Sequence, residues 1–135
     1  MIITILIYLL YASALTSCPL GSECTQGYAV PCAIGTYSVD GDMSCHPCPA
    51  GYQCPSQGTP VICSTNYYSE LGVSSCTLCP LGYTCISGLK TKCTSGQFTP
   101  SQGAPCQACD ANYRCPDGKG QLQCASDEWS TSGSV

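Results

Sequence analysis

Apolar residues crowd one end of the chain. Ile2 to Leu10 are apolar apart from Thr4 and run into Tyr11-Ala12-Ser13-Ala14, a small-x-small pattern of the kind a signal peptidase accepts. A run of about a dozen residues falls short of the roughly 20 that span a bilayer, which predicts a cleaved signal peptide over 1–17, cut after Ala14 or near Ser17. No second long apolar run follows, so no membrane span is expected in this chain. From Cys18 onward the apolar residues stand singly among Gly, Ser, Thr and Pro, and no stretch sustains the 3.6-residue period of an amphipathic helix. The pattern predicts loops joined by short β pairs.

What does recur is a unit of about thirty residues. Its copies run 18–47, 48–78, 79–108 and 109–135, with first cysteines 30, 31 and 30 residues apart, so the chain reads as a tandem array of four four-cysteine repeats, the last of them truncated. Three residues after each first cysteine stand Gly21, Gly51, Gly82 and Asn112. Three after each third cysteine stand Gly35, Asn66, Gly96 and Asp127. These residue types tolerate positive φ, and each unit is expected to need a left-handed residue at both places. Five residues after the third cysteine come Tyr37, Tyr68, Phe98 and Trp129, each followed by Ser or Thr. They are read as structural aromatics that cover a disulfide and the face of the neighbouring unit; the sharper reading is a row of exposed rings that binds carbohydrate. A second series, Tyr52, Tyr83 and Tyr113, has Ser22 in the first unit. Gly41, Gly72, Gly103 and Gly133 mark a turn midway through each long loop, which predicts an irregular hairpin between the third and fourth cysteines.

Composition explains why cysteine recurs. Six Leu, three Ile, five Val and one Phe are all the large aliphatic and Phe side chains among the 118 residues from Cys18 onward, too few for an ordinary core. Those same residues hold all 15 Cys, so covalent closure must take over much of the core's role, which places the chain in an oxidising, extracellular or lumenal compartment. Four basic residues against eight acidic ones give a net charge of −4, a balance that repels a phosphate backbone or an anionic membrane surface and argues against nucleic acid as a partner.

Four cysteines per unit allow three connectivities, and spacing does not choose among them. A first unit that satisfies itself disfavours borrowing from upstream. Pairing first with second and third with fourth leaves Cys124 over, whereas pairing first with third and second with fourth strands Cys115. Earlier units put the fourth cysteine thirteen positions after the third, which for Cys124 falls beyond Val135. With the odd cysteine count, this points to a fragment of a longer array.

The alternation of CAIGTYSVDGDMSCHPC with CPAGYQC and CPLGYTC resembles the ephrin-receptor-like cysteine-rich repeat, a relative of the TNF-receptor modules in the growth-factor-receptor cysteine-rich group. The resemblance covers nearly everything after the leader and is most specific at the CxxCPxGYxC junctions, Cys45 to Cys54 and Cys76 to Cys85. CDANYRC in the fourth unit departs from it at Asp110 and Asn112. In such modules the long loop is closed by its own disulfide. The resemblance therefore implies Cys32–Cys45, Cys63–Cys76 and Cys93–Cys106, alongside Cys18–Cys24, Cys48–Cys54, Cys79–Cys85 and Cys109–Cys115, with Cys124 unpaired. It also implies an elongated extracellular rod with no catalytic role, and it carries over no ligand-contact residue.

Other chemistries find little footing. Cys45/Cys48, Cys76/Cys79 and Cys106/Cys109 form CxxC pairs, but 27 and 26 residues separate successive pairs, against the roughly 15–20 of a zinc site, and no βαβ context suggests thiol-redox chemistry. His46 is the one histidine. Asp40-Gly41-Asp42 lacks the spaced carboxylates of a calcium loop, and no Asn-x-Ser/Thr sequon is present. With no acid, base and nucleophile to assemble, neither an enzyme nor a cofactor is expected. The expected function is a secreted or cell-surface spacer or interaction stalk. The alternative is a ligand-binding ectodomain fragment of a membrane receptor, its protein or carbohydrate ligand unknown.

Overall fold

A computed structural model describes residues 17–125 and 128–133, so the expected signal peptide, apart from Ser17, and Asp127 lie outside the described residues. Among the described residues there is no helix. The strands are β1 (Ser22–Thr25), β2 (Tyr28–Pro31), β3 (Thr36–Tyr37), β4 (His46–Pro47), β5 (Tyr52–Gln53), β6 (Val61–Ile62), β7 (Tyr67–Tyr68), β8 (Thr77–Leu78), β9 (Tyr83–Ile86), β10 (Leu89–Lys92), β11 (Gln97–Phe98), β12 (Gln107–Ala108), β13 (Tyr113–Arg114) and β14 (Leu122–Gln123). They pair in chain order as antiparallel hairpins, two in each of the first three units and one in the fourth. The result is a small, disulfide-rich, elongated tandem array. Among the described residues, the backbone hydrogen bonds that pass between units join neighbours.

The leading hairpin of each unit surrounds its second cysteine, where no hairpin was expected. Its form follows from a one-residue difference. Units one and three place seven residues between the second and third cysteines, and units two and four place eight. With seven, a two-residue turn joins four-residue strands, and both turn residues have positive φ, as a type I′ turn requires: Gln26 at 54° and Gly27 at 83°, Ser87 at 52° and Gly88 at 77°. With eight, the loop lengthens and the strands shrink to two residues each.

The trailing hairpin differs from expectation in its second strand. Its first strand lies between the third and fourth cysteines, but β4, β8 and β12 lie beyond the fourth, on the two residues inside each CxxC. Those two residues are held at both ends, by a cysteine bridged within its own unit and one bridged in the next, so they are already extended and can pair. The ladder then runs on: the N–H of Cys48, Cys79 and Cys109 donates to the carbonyl of Gly35, Asn66 and Gly96 at 2.8 Å each. In this way the first residue of every later unit is hydrogen-bonded to the unit before it.

φ is positive at every described member of the two glycine series, including Asn66 at 70° and Asn112 at 66°. At the seams the need for glycine is also steric. A Cβ on Gly88 would stand 2.2 Å from the carbonyl oxygen of Gly51, whereas one on Gly27, the equivalent turn residue of unit one, would meet nothing within 4 Å. Gly88→Ala and Gly27→Ala therefore share the left-handed strain of roughly 1–2 kcal/mol, and only the first adds a backbone collision. Thermal unfolding of the oxidised protein should show Gly88→Ala losing at least about 1 kcal/mol more than Gly27→Ala; equal losses would remove the close approach from the account.

Candidate functional site

Sulfur fills the interior. Among the described residues the buried apolar side chains are ten cysteines and Phe98, and the first cysteines Cys18, Cys48, Cys79 and Cys109 are fully inaccessible. Seven disulfides close: Cys18–Cys24, Cys32–Cys45, Cys48–Cys54, Cys63–Cys76, Cys79–Cys85, Cys93–Cys106 and Cys109–Cys115, with Cα–Cα distances of 5.6 to 6.0 Å. The two sulfurs of each CxxC thus belong to different bridges, Cys45 to the long loop of one unit and Cys48 to the short loop of the next. They form neither a metal knuckle nor a dithiol couple. Cys124 keeps a free, half-buried thiol 3.7 Å from the Ser130 hydroxyl.

The aromatic series divides. Phe98 is 5% exposed, packed with Cys109, Cys115 and Tyr113 of the following unit, which is the covering role expected of it. Tyr37 and Tyr68 are half-buried. Trp129 corrects the expectation of packing: it is 83% exposed, because the described residues place beside it no disulfide of a following unit like the one that covers Phe98. With Phe98 inside and two tyrosines half inside, the series does not form a continuous exposed row for a sugar.

The residue after each ring proves to be the busier one. Ser38, Ser69 and Thr99 are buried. Their N–H groups donate across the seam to carbonyls of the next unit's leading loop, Gln57 at 3.1 Å, Gly88 at 3.1 Å and Gly118 at 3.0 Å. The hydroxyls of Ser38, Ser69 and Ser130 donate back to the carbonyls of Ser22, Tyr52 and Tyr113. Thr99 uses its oxygen the other way, accepting from the Gly82 N–H at 2.8 Å. The small hydroxyl after each aromatic was visible in the sequence, but its partner lies 16 or 17 residues upstream, out of reach of any local rule.

On the surface, the Lys90 ammonium sits 3.1 Å from a Glu70 carboxylate oxygen, 4.4 Å from the centroid of the Tyr68 ring and 5.5 Å from that of Tyr83. The hydrogen bond to Glu70 raises the Lys90 pKa above its ordinary value. His46 Nε2 is 3.4 Å from Asp42 Oδ2, and the His46 ring is 6.0 Å from that of Tyr37. Asp42 also accepts from the Val39 N–H, so this carboxylate closes its own turn. Among the described residues no three His, Cys, Asp or Glu side chains converge as metal ligands. An open cleft of about 230 Å³ between units three and four is lined by Lys92, Thr94, Ser95, Pro116, Asp117 and Gly118, together with the bridged Cys93 and Cys115. Lys92 and Asp117 bring opposite charges to it. Among the described residues no helix is long and apolar enough to cross a membrane.

No family model matches the chain, and no match to it is found among curated proteins.

Two measurements check this geometry. Alkylation of the unreduced protein should label one thiol, Cys124, and full reduction should expose all fifteen; several reactive thiols before reduction would undo the pairing. Thr99→Val keeps the shape but removes the acceptor for a buried N–H, which should cost roughly 1–3 kcal/mol, whereas Thr99→Ser keeps an oxygen and should cost well under half as much. Melting of the oxidised variants, with amide exchange at Gly82, reads both.

Proposed function

We propose that this chain is a non-catalytic, cysteine-rich spacer or interaction stalk of the extracellular space, of the ephrin-receptor-like kind. The observation that carries the reading is the use made of the buried groups. Its buried sulfurs are bridged within the units, and its buried hydroxyls tie each unit's two loops together. Chemistry of that kind maintains a shape and resists proteolysis, since each bridge removes roughly 2–3 kcal/mol of unfolded-chain entropy in the loop-closure model. The apolar leader and the low, acidic charge support export and make nucleic acid a poor partner.

A second reading, a receptor ectodomain fragment that binds a ligand, draws on the apolar side chains left in solvent, among them Ile34 at 80% and Ile86 at 70% exposure. The two readings divide on specificity. Expressed with its leader in a secretory host, the protein should reach the medium oxidised, and any contact it makes with an extracellular protein or glycan should be spread over its units and survive substitution in one of them. Saturable binding lost on Ile34→Ser or Ile86→Ser would replace the spacer with the receptor reading. Accumulation inside the cell with reduced thiols would overturn both.

A further inference from the structure

The seam between units two and three differs from the seams on either side of it. It is the one place where a seven-residue hairpin follows another unit, and the turn of that hairpin reaches back: Tyr68 and Gly88 form a parallel β-bridge across the seam. Lys90, on β10, extends the same contact with charge. Tyr68 and Glu70 belong to unit two, and Tyr83 and Lys90 to unit three, so the ammonium is shared between a carboxylate and a ring of one unit and a ring of its own. At the first seam the equivalent positions hold Pro60 in place of Lys90 and Val39 in place of Glu70. At the third they hold Gln121 and Pro100, and burial of Phe98 supplies apolar contact instead.

We propose that Lys90 is an electrostatic clamp between units two and three, so that the middle seam of the array stiffens at low ionic strength and loosens at high, while the outer seams do not respond. The physical basis is the difference between the contacts. An ion pair at the surface weakens with salt as the Debye length falls from about 30 Å at 0.01 M to about 3 Å at 1 M, the scale of the Lys90–Glu70 contact, and a cation held over two rings adds attraction that is lost with the charge. Backbone hydrogen bonds and the Phe98 contact carry no net charge to screen, and among the described residues Lys92 and Asp117, which line the cleft at the third seam, form no ion pair. The tight hairpin supplies the reach, since its four-residue strand carries Lys90 back over Tyr68. The spacing between the second and third cysteines therefore decides where such a clamp can be built.

Each seam carries its own reporter, the N–H of Ser38, Ser69 or Thr99, bonded to a carbonyl of the following unit. Amide exchange of the whole oxidised protein should show Ser69 exchanging about two- to threefold faster in 1 M than in 10 mM sodium chloride, with Ser38 and Thr99 unchanged after correction for intrinsic rates. Lys90→Gln at low salt should speed Ser69 about fivefold and abolish its salt response, leaving the other two amides alone. Lys90→Met, which keeps the apolar stem against the rings, should behave as Lys90→Gln. The proposal is overturned if Ser69 ignores salt, if Lys90→Met keeps wild-type protection, or if all three amides accelerate together.

Discussion

Three restraints converge on the first cysteine of a unit, and the architecture depends on their meeting at one residue. The sulfur of Cys48 or Cys79 is bridged to the second cysteine of its own unit. Its N–H is given to the unit before, and its carbonyl accepts the N–H of the mid-loop glycine, Gly72 or Gly103, that turns its own long loop. Cys109 repeats the arrangement with Gly96 and Gly133. One residue thus ties both loops of its unit together and attaches that unit to its predecessor. No water reaches any of these three side chains, so the polar groups around them are satisfied within the protein, and the described residues leave no buried side-chain nitrogen or oxygen without a partner.

That economy suits a chain poor in aliphatic residues. A hydrophobic core gains from depth, which an array one unit wide does not possess, and most of the large apolar side chains here remain at least partly in solvent. Sulfur works at short range instead, closing loops whose entropy is removed from the unfolded state regardless of how thin the folded object is. The hydroxyls of Ser38, Ser69 and Thr99 complete the interior where an ordinary domain would place a leucine. They are small enough to fit beneath a neighbouring loop and polar enough to bond it.

The seams then determine how the array behaves as a whole. All three use the same backbone bond from the Ser or Thr that follows the ring, yet their side chains differ: Tyr37 faces its own unit's His46, Tyr68 faces a lysine of the next unit, and Phe98 covers the next unit's disulfide. A repeated scaffold therefore carries joints of unequal character.

Local sterics made much of this readable from the chain alone. The thirty-residue period, the left-handed residues at Asn66 and Asn112, and the turns at Gly41, Gly72 and Gly103 follow from residue types whose backbone preferences act over a few bonds. The scarcity of aliphatics likewise required cysteine to hold the fold. Tertiary structure decided what depends on residues meeting from a distance. It placed the second strand of each trailing hairpin inside the CxxC, set the hydroxyl of Ser69 on the carbonyl of Tyr52, brought Lys90 to Glu70, and left Trp129 in solvent while Phe98 was covered. The physical reason is that periodicity and turn chemistry specify a unit's own shape, whereas a seam is specified by two units jointly, through shape and charge that neither contains by itself.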